Sequence, residues 1–199
     1  MLNTSDLKII ESETWSFLQE AAERSADAFR YITFATVDEV NQPQVRILVL
    51  RGVDTLQRVL EFYTDTRSPK WHELTENPSV AALGYDPNRR IQLRLDGKVD
   101  LLGPGTPLNI EAWRQLSVWG RNTYSGGKPG ELMEEARSWS MEGGSPSLEH
   151  VKKDERNFGV IRFHVRRLDW LILMQPTNRR AIFFYDVVDR PFGMSWVNP

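Results

Sequence analysis

One arginine and one short segment of this 199-residue chain have the residue types and spacing to bind an anion together. Arg46 lies in an otherwise apolar run, where a guanidinium is costly unless it meets a carboxylate or an anionic ligand. The segment 62–70 predicts a strand that ends at Thr64, followed by a helix with Ser68 as N-cap and Lys70 in its first turn. Exposed amides at a helix start, a hydroxyl and nearby cations are typical of a phosphate site.

Each of these residues also has a simpler explanation. Arg46 could pair with a local carboxylate, and Ser68 could only cap the helix. Gln92 is a third polar residue of interest, because it lies in a strand that should be half-buried and its amide can both donate and accept. Arg51 and Arg94 could each supply positive charge to a bound ring, or could be solvated.

The elements that must position these residues are mostly strands. Runs with a period of two predict strands at 31–37, 45–51, 59–64, 79–85, 91–102, 158–174 and 179–188. Helical patterns lie at 12–30, 68–77, 107–118 and 131–141. We therefore expect a mainly β protein with flanking helices, in which six or seven antiparallel strands form a small closed or split barrel. The absence of βαβ alternation argues against a Rossmann sheet.

Composition narrows the possible functions. A hydrophobic share of 40%, a charged share of 26% and a formal charge of −2 are typical of an ordinary soluble domain, with neither a nucleic acid nor a membrane as partner. We expect a single domain over residues 1–199, with a helical, glycine-rich excursion at about 103–150. The chain contains no cysteine, which excludes disulfides, thiolate metal sites and thiol catalysis. Its three histidines lack ligand spacing, so we expect no metal site.

The beginning of the chain and its apolar runs predict a cytoplasmic protein. Residues 1–20 include the acidic side chains of Asp6, Glu11 and Glu13 and contain no apolar core of a signal peptide. The longest purely apolar runs, at 170–174 and 181–185, are too short to cross a bilayer. A reducing cytoplasm is therefore the expected compartment.

Three segments together resemble a known family. In order and spacing, the segments 46–51, 63–70 and 92–98 resemble the pyridoxamine 5′-phosphate oxidase-like FMN-binding split-barrel family, in particular its cyanobacterial and plant-type branch. The resemblance covers about residues 12–186. It implies a six- to seven-stranded antiparallel FMN-binding split β-barrel, and a homodimer that binds FMN at the subunit interface.

The resemblance also implies a role for individual residues. Arg46, Ser68 and Lys70 would hold the FMN phosphate, and Tyr63 with Thr64 would contact the flavin region. Gln92 would reach the ring from the other subunit, and Trp170 and Arg180 have the spacing of the family's C-terminal Trp and Arg, with Arg179 as an alternative. The complete set of expected FMN-binding residues is Arg46, Ile47, Leu48, Arg51, Tyr63, Thr64, Ser68, Lys70, Gln92, Trp170 and Arg180.

The sequence departs from the family at the positions that bind the substrate. A phosphate-loop Arg of the family is Pro69 here. The two pyridoxal-binding residues near the C-terminus would be Pro176 and Asn178, and the Tyr and Arg of the substrate helix would be Trp113 and Ser117. We therefore expect an FMN-dependent oxidoreductase of an unidentified small molecule, which is not an efficient pyridoxamine-phosphate oxidase and prefers an uncharged or aromatic substrate.

Several alternatives remain open at this stage. The chain could bind flavin without catalysis, as a storage or sensing protein. It could also have lost FMN and use the same cleft for haem, a deazaflavin or another anion, or serve as an interaction module. Arg121 or Lys128 in the excursion could fold over the cleft and restore one cation. No catalytic acid or base stands out in the sequence.

Overall fold

The computed structural model describes residues 5–133, 155–185 and 193–199. Its strands are β1 (Tyr31–Val37), β2 (Pro43–Asp54), β3 (Val59–Asp65), β4 (Ser79–Asp86), β5 (Ile91–Leu102), β6 (Phe158–Ile172), β7 (Arg179–Phe184) and β8 (Gly193–Val197). The helices are α1 (Leu7–Glu23), α2 (Pro69–Glu76), α3 (Pro107–Gln115) and α4 (Val118–Asn122), with 3₁₀ turns at Ala28–Arg30 and Glu155–Asn157.

The strands form one antiparallel sheet that closes on itself. Six strands lie in the order β3-β2-β1-β4-β5-β6, and β3 pairs with β6 to complete the ring. Strands β7 and β8 extend the sheet outward from β6. This arrangement confirms the prediction of a mainly β split barrel with flanking helices. Strand β8 is additional to the predicted strands.

Aromatic and aliphatic side chains from alternating positions of the strands fill the barrel. In β4, every second residue is buried, as expected for a strand with one face on the core. Phe34 packs edge to face on Phe62 at 5.4 Å and on Phe163 at 5.8 Å between ring centroids. Helix α1 joins this core through Trp15, whose indole Nε1 donates to the Tyr185 hydroxyl at 2.9 Å.

Three helix predictions need correction. Helix α1 was expected at 12–30 but begins at Leu7, because the Asp6 carboxylate caps it by accepting from the Lys8 amide at 2.8 Å. The predicted helix at 107–118 is two helices, since α3 ends at Gln115 and α4 follows. Residues 131–133 of the predicted helix at 131–141 are not helical, and the remainder lies outside the described residues.

Gly159 on β6 leaves room for the Trp71 ring of α2 to pack closely on this strand. A Cβ on Gly159 would lie 2.4 Å and 2.8 Å from two atoms of the Trp71 ring, whereas a Cβ on Gly103 would lie 3.9 Å from the same ring. We expect Gly159→Ala to lower the free energy of unfolding by about 1 to 2 kcal/mol through overpacking, measured by urea denaturation. Gly103→Ala is the matched control and should leave it nearly unchanged. Equal stability of the two variants would contradict this packing.

Candidate functional site

The predicted phosphate-binding residues meet where β3 ends and α2 begins. Ser68 occupies the N-cap position of α2, but its hydroxyl makes no cap hydrogen bond. The hydroxyl donates to the Asp65 carbonyl at 2.7 Å and lies 3.4 Å from the Thr64 hydroxyl. The first-turn amides of α2 are therefore not satisfied by this side chain, and the explanation of Ser68 as a helix cap only does not hold.

Two cationic side chains lie beside these hydroxyls. The Lys70 ammonium donates to the Thr64 hydroxyl at 3.2 Å and, within the described ranges, forms no ion pair. Burial lowers its pKa below the ordinary 10.5, and the charge of Arg46 lowers that pKa further, against the opposing effect of Asp65 and Glu73. A partly desolvated ammonium next to a second cation is stabilised by an anionic ligand.

Arg46 has a carboxylate partner that the sequence did not identify. Its Nη2 lies 2.9 Å from Oε2 of Glu73, whose side chain is largely buried, and its Nη1 donates to the Thr36 hydroxyl. The simpler explanation of Arg46, pairing with a local carboxylate, is therefore correct for this structure. It does not conflict with anion binding, because a guanidinium has five donors and this one remains beside Lys70.

Together these groups fit the phosphate of FMN. Two cations and an uncapped helix start present hydrogen-bond donors and positive charge in one place, next to two hydroxyls. The Ser68 hydroxyl would donate to a phosphate only after leaving the Asp65 carbonyl. Glu73 offsets part of that charge. The donor set suits a phosphate that arrives with its own negative charge.

A wall of aromatic rings lies next to this cluster. The Arg51 guanidinium stands 5.8 Å above the centre of the half-buried Tyr63 ring, and Tyr63 packs on Phe158 at 5.1 Å. Trp113 and Tyr124 pack behind them on Phe158. Trp113 is therefore part of a buried cluster and does not line an open pocket, which corrects the expectation that its ring would shape the substrate site.

The glycine-rich excursion begins beside this site. Arg67 forms a bidentate ion pair with Asp65 and donates to the Gly126 and Tyr124 carbonyls at 2.9 Å and 3.2 Å. Arg121 instead donates to the Trp113 and Arg114 carbonyls, at the end of α3. Arg121 thus binds the end of α3. The structure therefore does not support the prediction that Arg121 folds over the cleft as a substrate-binding cation.

Two of the predicted contact residues point into the barrel. The side chain of Leu48 is 7% exposed and that of Trp170 is 0% exposed, and both belong to the main core. Their neighbours Ile47 and Leu171 lie on the outer face, since successive side chains of a strand alternate. The structure therefore does not support side-chain contacts from Leu48 or Trp170 to a ligand on the outer surface. Leu48 could contribute only its backbone.

Gln92 and Arg180 lie together at a different place. Both face Leu171 across neighbouring strands, so the three side chains form one row on the outer face. Arg180 makes two hydrogen bonds to the buried Asp169, at 2.8 Å and 2.7 Å, which hold the pKa of that carboxyl below its usual range. Arg179, the alternative to Arg180, stacks at 4.6 Å on Trp196.

The two groups are too far apart to meet on one nucleotide. Thr64 pairs with Gly159 near the start of β6, whereas Gln92 pairs with Leu171 near its end. The intervening residues of β6 span on the order of 40 Å along the strand. One chain therefore brings together Arg46, Thr64, Ser68 and Lys70, with Arg51 and Tyr63 beside them, and separates them from Gln92 and Arg180. No contact of Ile47 with this cluster is seen among the described residues, and its side chain lies on the outer face.

Sequence reasoning missed the two carboxylates that hold the predicted arginines. Glu73 lies one helical turn after Lys70, and Asp169 interrupts an apolar strand next to Trp170. A charged residue inside an apolar strand is a signal for a buried partner, as it was for Arg46. Among the described residues, no three His, Asp or Glu side chains form a group that could hold a metal ion.

Residues 12–103 match the family model for the FMN-binding domain of pyridoxamine 5′-phosphate oxidase. Over these residues the chain is similar to that family. The resemblance seen in the sequence is thereby confirmed. The matched segment includes the Arg46–Lys70 cluster and Gln92, but not Trp170 or Arg180.

Curated relatives match part of the chain. The pyridoxine/pyridoxamine 5′-phosphate oxidase of Burkholderia thailandensis is 33% identical over 91 residues, and that of Burkholderia mallei is 32% identical over 91 residues. Each match covers 46% of this chain and 41% of the relative. The matched part thus spans less than half the length of these enzymes.

Two solved structures share the fold over nearly the whole chain. A pyridoxamine 5′-phosphate oxidase-related, FMN-binding protein from Nostoc punctiforme is similar with a TM-score of 0.76 and 24% identity, over 94% of this chain and 96% of that one. PhzG from Burkholderia lata is similar with a TM-score of 0.67 and 18% identity, over 100% of this chain and 95% of that one. At these identities the similarity establishes the split-barrel fold alone. No helix among the described residues is long and apolar enough to cross a membrane.

Proposed function

We propose that two copies of this chain bind FMN between them and use it to oxidise or reduce a small molecule. The observation that carries the proposal is the cluster of Arg46, Thr64, Ser68 and Lys70 at the start of α2, inside the segment that matches the FMN-binding domain. When bound, FMN supplies the redox chemistry by accepting a hydride and passing electrons to a second acceptor.

The chain's own residues would bind and orient this cofactor. Arg46 and Lys70 neutralise the phosphate, while the Thr64 and Ser68 hydroxyls fix its orientation. The Tyr63 ring, with Arg51 above it, forms an apolar wall beside the flavin region. Such a wall excludes water and strengthens the nearby electrostatic interactions.

A second copy is needed because Gln92 and Arg180 lie far from this cluster on their own chain.

An exposed apolar face on the outside of β2, β1 and β4 also supports the proposal of two copies. Its side chains share one side of the sheet, because Ile47 and Leu83 both pair with Thr33. Contiguous exposed apolar surface of this kind marks an interaction site. The members of this apolar face are Tyr31, Val45, Ile47 and Leu83.

A charge placed in the apolar face should separate the two copies. We expect Leu83→Glu to give a particle near 23.0 kDa in light scattering, because Leu83 is 39% exposed here and a carboxylate would be desolvated at the interface. Leu56→Glu is the matched control, since Leu56 is 92% exposed in the turn between β2 and β3 and lies outside this face. If Leu83→Glu keeps the mass of the wild type, the apolar face is not the interface.

Non-catalytic flavin binding is the second candidate function. It is favoured by the uncharged residues Pro176 and Asn178, which stand where the family places pyridoxal-binding side chains. Steady-state turnover with a chemical reductant in air separates the two functions. An oxidoreductase turns over faster than the same concentration of free FMN, whereas a storage or sensing protein does not. The cytoplasm remains the proposed compartment for either function.

A further inference from the structure

An open pocket lies between two hairpin turns at one end of the barrel, away from the proposed phosphate site. The turn between β4 and β5 is joined to the turn between β6 and β7 by a hydrogen bond from the Leu173 amide to the Arg90 carbonyl, at 2.9 Å. The pocket between them has a volume of about 270 Å³. Its lining includes Tyr85, Arg90, Leu173, Met174, Gln175 and Asn178, none of which belongs to the predicted FMN-binding set.

Arg90 is the charged group of this pocket. Within residues 5–133, 155–185 and 193–199 its guanidinium makes no ion pair and donates no hydrogen bond. Its neighbour Arg89, in contrast, is engaged by the buried Asp86 and by Asp27. The pocket is therefore bordered by one exposed cation whose five donors are available to a ligand.

An amide completes the polar side of the pocket. The side-chain oxygen of Asn178 accepts from the Met174 amide at 3.1 Å, which fixes the orientation of the group. The Asn178 amide nitrogen is consequently a donor at the pocket wall. One guanidinium and one amide suit a carboxylate, which carries a single negative charge. A phosphate dianion would need more positive charge than Arg90 supplies.

Apart from Gln175, the rest of the lining is apolar. The Tyr85 ring and the Leu173 side chain are both exposed to the pocket region, and Met174 lies between the two turns. Aromatic rings and methionine sulfur pack favourably on planar aromatic ligands. A cavity of about 150 Å³ holds one benzene ring, so this pocket is large enough for one or two fused rings.

We propose that this pocket binds a planar aromatic monocarboxylate, with Arg90 pairing the carboxylate and Tyr85 stacking on the ring. Tyr85 is also the cross-strand neighbour of Gln92. The bound ring would therefore lie close to the residue expected beside the flavin. Use of the ligand as the redox substrate rests on the proposed function, but its binding does not.

The test is calorimetric titration of the protein with 2-naphthoate, with and without added FMN. We expect saturable binding that Arg90→Asn weakens at least tenfold and that Arg90→Lys weakens less. Asparagine is chosen because Arg90 has a φ of 56°, a conformation that asparagine tolerates better than most residues. Arg24→Gln is the control, since Arg24 pairs with Glu20 on the exposed side of α1. The uncharged 2-naphthamide should bind wild type and Arg90→Asn equally weakly.

A second measurement needs no variant. Addition of 2-naphthoate to the wild-type protein should shift the backbone amide resonances of Arg90, Leu173 and Asn178. Absence of saturable binding, unchanged affinity in Arg90→Asn, or shifts confined to other residues would overturn the proposal. Binding of 2-naphthoate to a protein that fails to bind FMN would support this pocket and contradict only the proposed function.

Discussion

Replacing Arg46 with glutamine in a Glu73→Gln background is expected to weaken FMN binding about 10- to 150-fold. The Glu73→Gln background is needed because Arg46 and Glu73 form a largely buried ion pair. Removing Arg46 alone would leave the Glu73 carboxylate uncompensated, and that defect can cost about 3 to 5 kcal/mol of stability. Glutamine at position 73 can still accept from Thr36, so the surrounding packing is retained.

The comparison that isolates Arg46 is between the single variant Glu73→Gln and the double variant. Both lack the carboxylate, and they differ only in the cation that would hold the phosphate. Titration of each FMN-free protein with FMN, followed by quenching of flavin fluorescence, gives the two dissociation constants. Thermal unfolding of both proteins shows whether the fold is intact. Equal affinities would mean that Arg46 does not contact the phosphate.

The FMN-loaded protein is expected to oxidise pyridoxamine 5′-phosphate with a kcat/KM two to four orders of magnitude below about 10⁴ M⁻¹s⁻¹. That substrate carries a phosphate dianion that a specific site must pair with cations. Loss of two charge-assisted contacts costs roughly 3 to 6 kcal/mol. Pro176 and Asn178 carry no charge, and neither do Trp113 and Ser117.

The structure strengthens this expectation at two positions. Trp113 is buried against Phe158, and the Ser117 hydroxyl accepts from the Gly120 amide as the cap of α4. Arg121 is committed to the carbonyls at the end of α3. The assay measures hydrogen peroxide release with pyridoxamine 5′-phosphate and, separately, pyridoxine 5′-phosphate. A kcat/KM of about 10⁴ M⁻¹s⁻¹ or above with either compound would refute the expectation.

Local patterns predicted most of the strands and one helix well. The strand at 91–102 has the observed bounds of β5, because apolar residues alternate along it and turn residues precede it. Helix α2 was located by the Ser68-Pro69 start and the Asn77-Pro78 end. Strand β8 was missed, since its stability comes from pairing with β7 and its sequence carries little alternation.

The candidate site was predictable in its residue types but not in its partners. Arg46 was identifiable because a charge in an apolar strand needs a counterpart. Its counterpart, Glu73, lies on a helix 27 residues later, and only the packing of α2 on the barrel brings the two together. The inward orientation of Trp170 likewise depends on the register of β6 with β5, which spacing along the chain does not specify.

The central claim is that FMN binds between two copies of the chain, and native mass spectrometry of the FMN-reconstituted protein tests it most directly. The account predicts a species of twice the 23.0 kDa chain mass that carries two FMN molecules. Collisional dissociation of that species should release FMN as the two chains separate. A 23.0 kDa species that retains FMN, or a dimer that carries none, would contradict the account.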